Sequence, residues 1–284
     1  MLPGRHDAVD ERAHGTVGLG QNGRMHHGEL SAIVATNVER WRAEDDAWRG
    51  YHRRGDQMVL DARVEGALRL LLPRPGGALL DIGCANGVLT RQCARASQVA
   101  RVFGVDFVDH GLDPREIAFT KANLDTSTPL PFESATFDVI TCMETLEHLH
   151  DTDHIVSEIR RLLRPEGYAI VAVPRLDALL SIAMLTLGLQ PPAVECSLRR
   201  RYGSPGSSTR VSGHVSHFTR RALLELVQAN GLTVDAFAQA SIYSAWRHST
   251  ERAPPLWQRL PMWVLSKIPV KQDELLVRIR TPRS

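Results

Sequence analysis

The stretch Gly77–Thr90, which reads GALLDIGCANGVLT, restricts the fold more than any other part of this chain. Leu79, Leu80, Asp81 and Ile82 make the short apolar run expected of a buried parallel strand. Gly83-Cys84-Ala85-Asn86-Gly87 then turns the backbone, and Val88–Ala96 has helical spacing. Strand, small-residue loop and helix in that order build a pocket at the carboxyl edge of an open α/β sheet. A dinucleotide loop needs G-x-G-x-x-G, whose glycines let a pyrophosphate approach a helix N-terminus. Here Ala85 stands at the middle glycine and Gly87 comes one residue early. A cofactor without phosphates suits such a loop, its amino-acid portion lying against the Gly83 backbone. The plain alternative is a strand–helix turn whose glycines serve only positive φ.

The order of features downstream favours the pocket. A second apolar strand, Arg101–Val105, ends in Asp106, 25 residues after Asp81. An acidic residue about there meets a ribose hydroxyl pair in such folds. Ala122-Asn123-Leu124-Asp125 and Pro129-Leu130-Pro131-Phe132 follow. Phe137–Cys142 reads as a third strand and runs into Met143-Glu144-Thr145-Leu146-Glu147-His148.

LLDIGCANG, FGVDF, ANLD, LPF, ATFDVI, the ExxEH at Glu144–His148 and LLRPEGYAIVAVP all fall in one order over Gly77–Pro174. In this the chain resembles the class I S-adenosylmethionine (SAM)-dependent methyltransferases of the type 11 small-molecule kind. TCMETLEHLHD most resembles the ubiquinone-biosynthesis O-methyltransferases. The resemblance implies an α/β, Rossmann-like sheet of seven strands with an antiparallel last strand, N-terminal helices and a lid insertion. It implies SAM as cofactor, with Asp81, Gly83, Ala85 and Gly87 around the methionyl portion and Met143 near its end. Asp106 takes the ribose, Phe107 stacks beside the adenine, and Asn123 with Leu124 meets the adenine edge. Many relatives carry Asp at the Asn123 position.

For the chemistry, Glu144, Glu147 and His148 stand at i, i+3 and i+4, which a helix would place on one face. The ubiquinone-pathway enzymes and the small-RNA 3′-end 2′-O-methyltransferases carry a similar ExxEH that ligates a metal. The RNA enzymes add a His before a Thr-Arg helix start, and this chain offers His214 and His217 before Thr219-Arg220. The metal set is then Glu144, Glu147, His148 and His214, holding a divalent ion such as Mg2+. The catalytic candidates are His148, Glu147, His214 and His217. Three routes stay open: a metal, a direct histidine base, or proximity alone.

The rest of the chain sets the surroundings. Residues 1–28 hold six glycines and four histidines and read as a disordered tail, with Met25 as a later start. Residues 29–76 read as a helical cap, with helices capped by Ser31 and Asp56 and with Trp41, Trp48, Tyr51 and His52 as pocket candidates. The resemblance implies that residues 77–284 form the SAM-dependent methyltransferase domain. Thr152–Leu163 and Thr219–Ala229 read as helices, and Tyr168–Val173, Leu232–Phe237 and Glu274–Arg280 as strands. Leu256–Ile268 reads as a further helical stretch. The insertion 175–213 carries the longest apolar run, Ala178–Leu189, too short to span a bilayer and read as a buried lid helix rather than a lipidic-substrate surface.

The net charge of +2 implies no dedicated nucleic-acid surface. Cys84, Cys93, Cys142 and Cys196 lack disulfide or zinc spacing, and the N-terminus lacks a signal-peptide pattern, so a cytoplasmic enzyme is expected. The function that fits is O-methylation of a small-molecule acceptor: a secondary metabolite, sugar or quinone. The alternatives are a macromolecular (RNA-terminus) methyltransferase and a non-catalytic SAM-binding protein.

Overall fold

The computed structural model describes residues 62–191, 194–203, 211–240 and 273–282. The tail, the Ser31 and Asp56 caps, Trp41, Trp48, Tyr51, His52 and the stretch Leu256–Ile268 lie outside them. In chain order the elements are α1 (Ala62–Leu70), β1 (Ala78–Ile82), α2 (Val88–Ser97), β2 (Arg101–Asp106), β3 (Ala118–Lys121) and β4 (Phe137–Met143). A 3₁₀ turn at Leu146–His148 follows, then α3 (Thr152–Leu162), β5 (Leu163–Pro174), α4 (Leu179–Thr186), α5 (Arg220–Ala229), β6 (Thr233–Ala240) and β7 (Glu274–Arg280).

The strands make one seven-stranded sheet in the order β3-β2-β1-β4-β5-β7-β6. β1 pairs in parallel with β2 and β4, β2 with β3, and β4 with β5. β7 runs antiparallel to both β5 and β6, as expected. The chain order reverses at β1, so the carboxyl ends of β1, β2 and β4 open a crevice at that switch point.

Successive strand residues point to opposite faces, and each face has its own apolar layer. Leu80, Ile82, Ile140, Val171 and Val277 pack under α3 and α5 through Ile155, Ile159, Leu223 and Val227. Leu79, Val139, Ile170 and Leu276 face Ala67 and Leu70 of α1 and Cys93 of α2. Burial on both faces explains why the central strands read as unbroken apolar runs. Helix ends carry their own signals: the Asp151 side chain caps α3 through His154 N–H, and Thr219 caps α5 through Ala222 N–H.

Three elements depart from the sequence expectation. β3 was not anticipated, since Ala118–Lys121 is a short, partly exposed edge strand. β5 begins at Leu163 rather than Tyr168: Leu163 pairs with Phe137, then Tyr168 with Val139, and the residues between bulge out around Pro165. α4 is not a buried helix. Only Ser181 and Met184 within it are buried, while Ile182, Leu185 and the following Leu187 face solvent.

Asp81 sits in the middle of this packing. Its carboxylate accepts from Thr90 (2.5 Å) on α2 and from Thr141 (2.7 Å) on β4, joining three elements. Burial, opposed by those two hydrogen bonds, raises its pKa from 3.8 to about 6. Between about pH 4 and pH 6 the folded chain therefore keeps a proton that the unfolded chain has released, and stability falls as pH rises through that window. Asp81→Asn abolishes this slope. Urea unfolding of the variant and parent will show the variant gaining up to roughly 3 kcal/mol on the parent between about pH 4 and pH 7. A constant difference across pH would contradict the burial of an ionising group here.

Candidate active site at the carboxyl edge of the sheet

The loop after β1 folds onto itself. Gly83 and Cys84 N–H both donate to the Val105 carbonyl (2.8 and 3.3 Å), and Gly87 N–H donates to the Cys84 carbonyl (2.8 Å). Ala85 N–H donates to Asp106 Oδ2 (2.9 Å), and Val88 N–H donates to Asn86 Oδ1 (3.2 Å). A pyrophosphate needs such N–H groups for itself. Here they are used internally; the Asp106 carboxylate takes one of them, and the Arg91 guanidinium donates to the Asn86 carbonyl (3.2 Å). The glycines are required for a definite reason. Gly83 (φ 80°) faces Thr145 so closely that any side chain would collide with it, and a Cβ on Gly87 (φ 72°) would stand 2.6 Å from Ile117 Cδ1. Ala85 also takes positive φ (42°).

Asp106 closes the crevice from the β2 side. Its two oxygens accept from Ala85 N–H and Val108 N–H (3.1 Å), and each oxygen keeps a further lone pair for a hydroxyl. That donor-free carboxylate suits a vicinal diol. Phe107 follows it, half-buried, with Lys121 Nζ 5.8 Å from the ring centre. Asn123 uses its Oδ1 to accept from Asp125 N–H (3.0 Å), which shapes the Asn123–Leu124 corner. Leu124 and Met143 are buried at this edge. Asp81 lies within the sheet, held by Thr90 and Thr141 as described, beneath the loop.

The opposite wall is built by a docked segment. Val215 and Ser216 N–H donate to the Glu147 carbonyl (2.8 and 3.0 Å), and Ser216 Oγ donates to the Leu149 carbonyl (2.7 Å). These bonds lay residues 213–216 along the 3₁₀ turn and bring His214 over His148, with ring centres 4.9 Å apart and edge to face. His148 Nδ1 donates to the Gly213 carbonyl (3.3 Å). Nε2 therefore carries the lone pair, and it lies 3.7 Å from Glu147 Oε1. Burial, then the neighbouring His214, pushes the His148 pKa down to about 3, so the ring is neutral. Glu147, His148 and His214 bring one ligand-capable atom each to within 4.8 Å of one another. A small cleft beside them is lined by Glu147, His214, Ser216 and His217 on its polar side and by Pro174, Leu176, Val194 and Phe218 on its apolar side.

Glu144 stands apart from that trio. Its backbone takes left-handed φ (54°) and its N–H donates to the Ala172 carbonyl (3.0 Å), so the chain turns out of β4 there instead of starting a helix. The helical spacing of Glu144, Glu147 and His148 expected from the sequence is thus replaced by a bend and a 3₁₀ turn, and Glu147 and His148 meet His214 without Glu144. His217 lines the cleft but is not in the trio, and burial lowers its pKa too.

Two positioning residues were invisible in the sequence. Thr145 Oγ1 donates to the Ile82 or Met143 carbonyl (3.2 and 3.1 Å), pinning the turn against the Gly83 corner. Glu195, its side chain almost wholly buried, accepts from Ser212 and Gly213 N–H (2.5 and 2.6 Å), with Arg201 3.7 Å away. It thereby holds the segment that carries His214. No spacing rule pairs a glutamate with N–H groups some 17 residues on.

Comparison with known proteins agrees with this geometry. The family model described as "Methyltransferase domain" matches residues 54–236. The chain is 34% identical over 116 residues to a ubiquinone biosynthesis O-methyltransferase of Yersinia enterocolitica, covering 36% of this chain and 46% of that one. It is 34% identical over 116 residues to the 27-O-demethylrifamycin SV methyltransferase of Amycolatopsis mediterranei, covering 38% and 41%. The match thus spans less than half the length of either relative. A SAM-dependent methyltransferase of Thermotoga maritima shares the fold, with a TM-score of 0.53 at 17% identity over 86% of this chain and 98% of that one. With the 3-2-1-4-5-7-6 sheet, a loop bonded through Ala85 N–H to Asp106 and a family match over most of its length, the chain belongs to the class I SAM-dependent methyltransferases.

Proposed function

We infer that this protein moves the methyl group of SAM to a hydroxyl oxygen of a small molecule, and that Glu147, His148 and His214 hold a divalent cation beside that oxygen. The observation that carries the reading is the convergence of three electron-pair donors at one side of the cleft. Because the Gly213 carbonyl takes the Nδ1–H of His148, the opposite nitrogen presents a lone pair toward the Glu147 carboxylate. A carboxylate and two imidazoles suit a borderline divalent ion better than Mg2+, which prefers oxygen ligands. Such an ion would supply Lewis acidity, lowering the pKa of a hydroxyl.

The cofactor supplies an electrophilic sulfonium methyl; transfer forms a C–O bond as the C–S bond breaks, the thioether leaves neutral, and the hydroxyl proton is lost to solvent. This chain's part is placement. Asp106 and the Gly83–Gly87 loop would hold the nucleoside and methionyl ends, and Thr145, bonded to the Ile82 carbonyl, ties that corner to the turn carrying Glu147 and His148. Pro174, Leu176, Val194 and Phe218 give the cleft an apolar wall that keeps water from competing with the acceptor. Both curated relatives are named for methylation at oxygen. With a pKa near 3, His148 holds a proton too weakly to serve as the resting base at neutral pH, whereas the same neutrality leaves it free to ligate.

Two sets of variants test the assignments. Asp106→Ala removes the acceptor for the hydroxyl pair and also frees Ala85 N–H, so SAM affinity measured by calorimetry will fall on the order of 100-fold. An unchanged affinity would contradict the ribose role. Turnover is read as label passing from methyl-labelled SAM into the small-molecule fraction of a cell extract; label in RNA, or in no fraction, would contradict the reading. In that assay Glu147→Gln and His214→Ala will each cut turnover on the order of 100-fold. A chelator will do the same to the parent, and SAM affinity will stay within about threefold in all cases. Glu195→Ala, which touches neither ligand, will lower turnover by roughly 10- to 100-fold with SAM affinity kept, because His214 loses its anchor.

A further inference from the structure

Two buried side-chain nitrogens have no hydrogen-bond partner among the described residues: Arg201 Nε and His217 Nε2. Arg201 keeps an ionic neighbour, since its guanidinium lies 3.7 Å from Glu195. His217 stands differently, because it lines the cleft in company with Glu147 and His214. The polar groups near it are committed elsewhere. Both Glu195 oxygens accept from Ser212 and Gly213 N–H, and Ser216 spends its hydroxyl proton on the Leu149 carbonyl. The backbone at His217 is held on both sides: Ser216 N–H donates to the Glu147 carbonyl (3.0 Å), and Leu176 N–H donates to the Phe218 carbonyl (2.7 Å). Burial lowers the pKa of the ring, so it meets a partner at neutral pH by hydrogen bonding and not as a cation. A buried polar atom left in this state costs free energy that a ligand atom at the same place would remove.

The rest of the cleft limits what can bear that atom. Glu147 and His214 serve the cation, and the side chains of Pro174, Leu176, Val194 and Phe218 offer only carbon. We propose that His217 selects the acceptor: its Nε2 hydrogen-bonds a second oxygen or nitrogen of the molecule whose hydroxyl is methylated, and the body joining the two polar atoms is apolar. The assignment rests on this cleft being the acceptor site and narrows the acceptor to one class. A sugar, hydroxylated on every side, would turn hydroxyls onto the four apolar side chains with no partner for them. A simple alcohol with one oxygen would satisfy the apolar wall and leave His217 unpaired. A site that hydrogen-bonds a substrate group rejects the analogue without it far more strongly than an apolar pocket rejects a missing methylene.

The test uses the full chain and the acceptor identified as labelled product in the extract assay, together with synthetic analogues that each lack one oxygen or nitrogen. With the parent, removing one heteroatom other than the methylated oxygen will lower kcat/KM on the order of 100-fold. His217→Leu will lose about as much on the complete acceptor, while its rate on that one analogue stays within about threefold of the parent's. His217→Gln, whose amide can donate or accept, will regain about tenfold over His217→Leu on the complete acceptor. SAM affinity by calorimetry will stay within about threefold in both variants, which shows that they are folded. An equal loss on the complete acceptor and on every analogue assigns His217 to packing and overturns the proposal. An acceptor that proves to be a sugar overturns it too, as does a parent indifferent to every heteroatom but the one it methylates. No labelled small molecule from the parent would overturn the acceptor reading itself, and the proposal would fall with it.

Discussion

The whole site depends on how the backbone N–H groups after β1 are spent. Gly83 and Cys84 turn back on Val105, Ala85 turns onto Asp106, and Gly87 and Val88 close within the loop. Those bonds weld the carboxyl ends of β1 and β2 together and remove the donors that a phosphate would require. They also fix Asp106 where a hydroxyl pair can reach its remaining lone pairs. With a carboxylate at its mouth, the crevice offers lone pairs to the hydroxyls of a neutral sugar. The left-handed corners at Gly83 and Gly87, where side chains would strike Thr145 and Ile117, are the steric condition for that closure.

A second constraint organises the other wall. The 3₁₀ turn after β4 exposes carbonyls that a helix would have used itself, and the segment before α5 satisfies them. That backbone pairing, not any attraction between the side chains, brings His214 to Glu147 and His148. Glu195 then holds the same segment from the far side. The apolar layers on both sheet faces keep the two walls in register, since each wall grows from the end of a strand buried at its centre.

The fold was legible because its strongest signals are local. Leu79–Ile82 and Phe137–Cys142 are short apolar runs between small-residue turns, and Glu274–Arg280 ends where the sheet requires a last strand. What escaped reading depends on non-local partners. Ala118–Lys121 has no alternation and becomes a strand only because β2 offers an edge. Leu163 joins β5 through a pairing with Phe137, across a bulge that accommodates Pro165. Ala178–Leu189 is as apolar as a core helix, and nothing in its own sequence says that half of it lacks a covering layer. At the site, Asp106, Gly83 and Gly87 were readable from spacing. The ExxEH was readable as a motif but not as a shape: the left-handed backbone at Glu144 breaks the helix that the spacing suggests and removes Glu144 from the cluster.

The most direct measurement is a calorimetric titration of the purified full chain with S-adenosylhomocysteine, repeated with nicotinamide and flavin dinucleotides. A loop with its N–H groups closed predicts saturable one-site binding of the sulfur nucleoside and no measurable heat from either dinucleotide. Binding of a dinucleotide with the sulfur nucleoside excluded would contradict the account at its foundation.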